Sequence, residues 1–201
     1  MKKIIFILPL ILSTTVFADN FTPYIGMDSG LNIVSYNNDI DLEEQYYTGT
    51  INAGMRIGPN FGVELFFTQS ADNENTITYE YSPLTQDINI SYQSFGFDIF
   101  GYYSIVKDMD FFTSFGIANY RISHEFEFND GLTTYGESDT TTETATRFGI
   151  GLMYTFPNDS VSILGQYQYS TLSNELIKSL SDFSIGFRYN FWKNPRFGDF
   201  F

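Results

Sequence analysis

The sequence predicts an all-β protein: eight antiparallel strands closed into an up-and-down barrel that crosses a membrane. Three observations carry this. Segments of alternating polar and apolar residues recur along the chain after residue 18, their connections alternate between short and long, and no later segment approaches eighteen continuous apolar residues. The last point leaves no membrane helix, and the first is the pattern of half-buried strands. The closing segment shows the pattern best: Phe183, Ile185, Phe187, Tyr189 and Phe191 share one face, and Ser184, Gly186, Arg188 and Asn190 share the other.

Residues 1–18 read as a secretory signal peptide. Met1-Lys2-Lys3 is basic, residues 4–12 (IIFILPLIL) form an apolar run too short to span a bilayer, and Val16-Phe17-Ala18 puts small residues where a signal peptidase cuts. The barrel is expected over 19–191 and a short C-terminal tail over 192–201. The chain has no cysteine, so no disulfide contributes to the exported domain. Removing Lys2 and Lys3 leaves eight bases against 24 acids, a balance of −16, which argues against a nucleic-acid partner.

The strand candidates are 21–34, 46–57, 61–70, 88–105, 111–126, 145–156, 161–170 and 182–191. Gly58-Pro59-Asn60, Lys107-Asp108-Met109-Asp110 and Pro157-Asn158-Asp159 are short turns built from residues that turn readily. The connections 35–45, 71–87, 127–144 and 171–181 are expected to be long loops. All short turns then fall at one end of the barrel and all long loops at the other.

Each strand has an aliphatic and aromatic face and a face of glycine, hydroxyls, amides and isolated charges. Ile51, Ala53, Met55 and Ile57 alternate with Thr50, Asn52, Gly54 and Arg56; Phe148, Ile150, Leu152 and Tyr154 alternate with Arg147, Gly149 and Gly151. Eight strands enclose little space, too little for most of the large apolar side chains. The small and polar set fits inside, so the apolar face must meet hydrocarbon. A sheet in lipid cannot leave an edge open, so the barrel must close.

With these features the chain resembles the OmpA/OmpX-type eight-stranded barrels of the Gram-negative outer membrane, a porin-like surface-protein group. The resemblance rests on Pro23-Tyr24-Ile25-Gly26, Phe61-Gly62-Val63-Glu64, Phe148-Gly149-Ile150-Gly151-Leu152 and above all the closing strand. The family's assembly signal runs polar, any, Gly, any, any, aromatic, any, aromatic. Residues 184–191 satisfy it, with Ser184, Gly186, Tyr189 and Phe191 at the defining positions. Counting back from Phe201 would put Arg196 where glycine is required. The resemblance implies a monomer in the bacterial outer membrane, bathed in lipid and lipopolysaccharide and inserted by the outer-membrane assembly machinery. The tail departs from relatives that stop at the last aromatic; Trp192 is expected at the aromatic girdle.

The inner faces carry Asp28, Arg56, Glu64, Asp98, Arg147 and Arg188, three acids and three bases. Charges in a poorly hydrated lumen need partners. The turn at 58–60 places Arg56 opposite Gly62 and diagonal to Glu64, so an Arg56–Glu64 pair is expected with Arg188 at similar height and Asp98 and Arg147 in an upper layer. The leading reading is a structural plug; a narrow ion channel gated by these lumenal pairs is the alternative.

Acids crowd the long connections: Asp39, Asp41, Glu43 and Glu44; Asp72, Glu74, Glu80 and Asp87; Glu127, Asp130, Glu137, Asp139 and Glu143. Their spacing matches no calcium-loop motif, so they read as solvated surface able to meet a host or surface ligand. No cofactor or metal is expected. The single histidine, His124, is flanked by Ser123 and Glu125, which an extended strand turns to the opposite face. No local dyad results, and the chain reads as a structural or surface-interaction protein rather than a lipid A-modifying enzyme.

Overall fold

The computed structural model describes residues 21–36, 44–78, 85–129, 133–172 and 177–191. The expected signal peptide and the tail with Trp192 lie outside them, as do Asp39, Asp41, Glu43, Glu80 and Asp130. Nine strands follow one another: β1 Phe21–Tyr36, β2 Gln45–Ile57, β3 Phe61–Ser70, β4 Asn73–Thr78, β5 Thr85–Val106, β6 Met109–Asn129, β7 Thr134–Thr155, β8 Val161–Thr171 and β9 Ile177–Asn190. Each pairs antiparallel with its neighbour in sequence, except that β3 and β4 both pair with β5. Residues 61–69 of β3 lie against 93–101, and β4 lies against 85–90. They are two lengths of one stave, broken at Ala71-Asp72, so the ring has the eight positions expected. β1 closes it against β9, with Tyr24 opposite Asn190.

The short connections are turns at residues 58–60, 107–108 and 156–160. Gly58 adopts φ 61°, a left-handed conformation that glycine takes without penalty. The second expected turn is shorter than the sequence suggested: Met109 and Asp110 already belong to β6.

Two expected loops are largely strand. Most of 127–144 belongs to a hairpin in which β6 and β7 stay in register from Met109↔Tyr154 to Asn129↔Thr134, and 71–87 contains β4 and the start of β5. Residues 140–146 are TTTETAT, and threonine favours strands. The hydrophobic alternation fades there because water reaches both faces, and that misled the sequence reading.

The apolar faces point outward. Ile51, Leu65, Phe95, Ile99, Ile117, Ile150, Ile185 and Phe187 are all substantially exposed. On β5 this band runs from Phe95 to Tyr103, nine residues, against the roughly 9–11 that a tilted strand needs to cross a bilayer. Above it the outward positions turn polar, with Gln93 opposite Arg121 and Arg121 opposite Thr142. No helix among the described residues is long and apolar enough to cross a membrane.

The interior is layered. Phe100, Tyr102, Phe112, Met153 and Leu164 form a cluster toward the short-turn end. A larger cluster, including Val34, Tyr46, Ile88, Ile90, Ile122 and Leu180, lies toward the opposite mouth. Between them lies a polar waist. The sequence alternation favours small and polar residues for this interior and puts Tyr102 and Leu164 on its inward faces; the apolar layers at its two ends are an addition.

Candidate functional site

Three buried ion pairs organise the waist and the short-turn end. Arg188 donates to Glu64 Oε2 at 2.7 Å, and the Tyr24 hydroxyl donates to the same oxygen at 2.8 Å. The guanidinium lies over the rings of Tyr24 and Phe100. Arg56 pairs with Asp110 at 2.7 Å, stacks on Tyr102 and donates to the Pro59 carbonyl, while Ser104 donates to the second Asp110 oxygen at 2.6 Å. Arg147 lies 3.6 Å from Asp98, over the Phe66 ring, and donates to Gln168 Oε1; Gln168 donates in turn to Asp98 at 3.3 Å.

The expected Arg56–Glu64 pair does not form. Arg56 does lie opposite Gly62, as the turn requires, but near the short-turn end it meets Asp110 from across the lumen. Glu64, one step higher, is reached by Arg188. Glu64 and Asp98 are direct cross-strand neighbours, and each turns to a different arginine. Asp28 accepts from Asn52 Nδ2 at 2.8 Å.

Two lumenal carboxylates escaped the sequence reading. Asp110 was assigned to a turn and Asp182 to a strand's first residue, yet Asp110 shares the parity of Phe112 and Ser114, and Asp182 that of Ser184 and Gly186. Continuing the alternation would have placed both inside. Thr48 donates to Asp182 at 3.1 Å. A cavity of about 20 Å³ remains, lined by residues including Asn32, Tyr92, Arg147, Gln168 and Asp182. It has room for about one water molecule.

Glycines make this packing possible. A methyl group on Gly186 would enter the Asp28 carboxylate, and one on Gly116 the Asp98 carboxylate. Gly165, on the outer face, has nothing within 4 Å of such a group. Gly186→Val is therefore expected to cost about 1–3 kcal/mol through overpacking, and Gly165→Val to be near neutral in lipid. Urea titrations of barrels folded in phospholipid vesicles check the pair; equal costs would contradict the assignment of faces.

The second candidate region is the sheet that rises past the lipid-facing band. β4 and the upper parts of β5, β6 and β7 compose it. β8 ends with Thr171 opposite Thr146, so among the described residues β7 from Thr134 to Ala145 has a strand partner on its β6 side only. The described acids Glu74, Asp87, Glu125, Glu127, Glu137, Asp139 and Glu143 lie here with a single described guanidinium, Arg121. His124 faces Asp139 Oδ2 at 3.8 Å and meets Phe126 edge-on. Ser123 pairs with Thr140 on the other face, so serine and histidine do not converge. Among the described residues no three His, Cys, Asp or Glu side chains are grouped to hold a metal.

The four positions expected to form an assembly signal lie in the closing segment. Ser184 and Gly186 face the lumen, while Tyr189 and Phe191 face outward with ring centroids 5.6 Å apart. The Phe191 amide donates to the Pro23 carbonyl at 2.9 Å.

A closed ring with an apolar exterior and paired charges inside defines a transmembrane β-barrel. Residues 4–191 match the model of the outer membrane protein beta-barrel domain, and the chain belongs to that family, a bacterial outer-membrane protein. Its fold is similar to that of Neisserial surface protein A, with TM-score 0.60, 15% identity, and coverage of 84% of this chain and 97% of that one. Ail, the attachment invasion locus protein of Yersinia pestis solved with the heparin analogue sucrose octasulfate, gives 0.56, 16%, 86% and 99%. A major outer membrane protein of Thermus thermophilus gives 0.57, 11%, 84% and 99%. No curated protein matches the sequence significantly.

Proposed function

We propose that this protein acts in surface recognition: the barrel is a sealed anchor, and the protruding sheet adds an extended, positively charged polypeptide segment to its free edge. The observation that carries this reading is the β7 edge from Thr134 to Ala145, which has no strand beyond it among the described residues. Long unpaired edges attract strands, and natural proteins usually blunt them. Strand addition supplies affinity through main-chain hydrogen bonds and specificity through alternate side chains. Glu137, Asp139 and Glu143 would set a preference for bases at alternate positions. Ail was solved with a polyanion; the acidic sheet favours a partner of opposite sign.

The ion pairs and apolar clusters packed in the lumen support an anchor over an ion channel, and the separation of Ser123 from His124 supports a non-enzymatic role. Short turns would face the periplasm and the sheet the exterior. The closing strand, with Ser184, Gly186, Tyr189 and Phe191, would be the part engaged by the assembly machinery, and the barrel would act as a monomer.

The test is fluorescence anisotropy of the folded barrel with nine-residue peptides alternating lysine or glutamate with valine. The lysine peptide should bind, more weakly as salt rises, and the glutamate peptide should not. The Thr140 amide donates to its neighbour Asp139, so it points away from β6, as does Thr142 two residues on. Thr142→Pro removes one edge donor without breaking the β6 ladder and should weaken binding. Equal binding of both peptides, or a Thr142→Pro variant binding like the parent, refutes strand addition at this edge.

A further inference from the structure

We infer that Phe128 and Tyr135, a cross-strand pair at the far end of the β6–β7 hairpin, form the apolar anchor of this recognition surface, for a polypeptide partner that carries an apolar side chain on the same face as its basic ones. The two residues are directly opposite in register, 40% and 77% exposed respectively. The inner face of β6 shows why they need a separate explanation. Ile122 is buried in the mouth cluster and Phe126 packs against its side; Phe128, the next residue on that face, has left it.

Lipid does not account for the exposure. Ile117 is the last apolar outward residue on β6, and Phe128 lies eleven steps farther along the strand, about 37 Å at 3.4 Å per residue. The outward positions between them are Asn119, Arg121, Ser123, Glu125 and Glu127, a polar run that hydrocarbon would not solvate. The pair therefore stands in water, well beyond the membrane. Adjacent large aromatics exposed at the end of a stiff hairpin are the kind of residue that dominates interface energetics once covered.

The surroundings select the partner. Glu137, opposite Phe126, and Asp139, opposite His124, share the face of the aromatic pair and sit just below it, whereas Glu127, opposite Gly136, points to the other face. An anionic lipid surface or a second copy of this acidic sheet would be repelled. Tyr135, Glu137 and Asp139 share one face of β7, so the strand that fits carries bases and an apolar residue on a single face: its bases meet Glu137 and Asp139, and its apolar residue covers Tyr135 beside Phe128. The inference rests on the strand-addition reading and extends it by assigning the anchor residues.

The experiment compares the folded full-length barrel with its Phe128→Ser/Tyr135→Ser variant, using two nine-residue peptides of equal charge that alternate lysine with serine, the last lysine being replaced by valine in one and by serine in the other. The parent should prefer the valine-bearing peptide by at least tenfold, and the variant should bind the two alike. A further variant, Phe128→Tyr/Tyr135→Phe, keeps the rings and should keep the preference, which separates loss of an anchor from disturbance of the hairpin. A preference that survives in the serine variant overturns the anchor and leaves edge recognition standing. A ring-swapped variant without the preference also overturns it. A parent that binds neither peptide overturns both.

Discussion

Glu64→Ala should destabilise the folded barrel by about 3–5 kcal/mol, because it leaves the Arg188 guanidinium buried opposite an empty site. Arg188 is 1% exposed and Glu64 4%, so water cannot replace the lost carboxylate. The Tyr24 hydroxyl, which donates to Glu64, loses its acceptor in the same step. Removing both charges has a different outcome. A buried pair replaced by apolar groups of similar volume is often neutral or stabilising, so Glu64→Met/Arg188→Met should recover most of the loss. The check is reversible urea unfolding in phospholipid vesicles for the single and double variants. Additive losses would mean that the two charges do not depend on each other, contrary to their 2.7 Å contact.

Leu65→Arg should cost about 2–4 kcal/mol, the range for a basic residue on the lipid face near the bilayer midplane. Leu65 is at the centre of β3, 64% exposed, between the outward residues Val63 and Phe67. An arginine on a water-exposed surface would cost almost nothing, so the substitution separates a membrane barrel from a soluble one. The measurement is the same urea titration in vesicles, repeated with Gln69→Arg near the top of the strand, where the cost should fall toward zero. A Leu65→Arg variant as stable as the parent would place that face in water.

The membrane barrel was legible because a strand with one face in lipid and the other in a crowded lumen alternates without interruption. Ile51 to Ile57 and Phe183 to Phe191 show it. Inner glycines were legible as space for larger neighbours, and Gly186 beneath Asp28 illustrates why. Charge partners were less legible. Register places Arg56 diagonal to Glu64, but a long side chain in a narrow lumen reaches across it, and sequence does not encode how strands on opposite walls align in height. Asp110 therefore went unnoticed as the partner of Arg56. The protruding sheet was hidden for a different reason: where both faces meet water, as in 134–144, apolar alternation disappears while threonine-rich strand pairing persists. Charge there suggested loops, and cross-strand hydrogen bonding produced strands.

The proposed role as a plugged anchor makes one demand that is direct to measure. The chain lacking residues 1–18 is refolded and its conductance recorded in a planar bilayer, beside Arg56→Ala and Arg147→Ala. With two apolar clusters packed inside the barrel and a cavity of only about 20 Å³ among its polar side chains, the parent should show no discrete conductance steps. Steps from the parent that change in either variant would make the ion pairs a gate, and would contradict the barrel as a plugged anchor for the sheet above it.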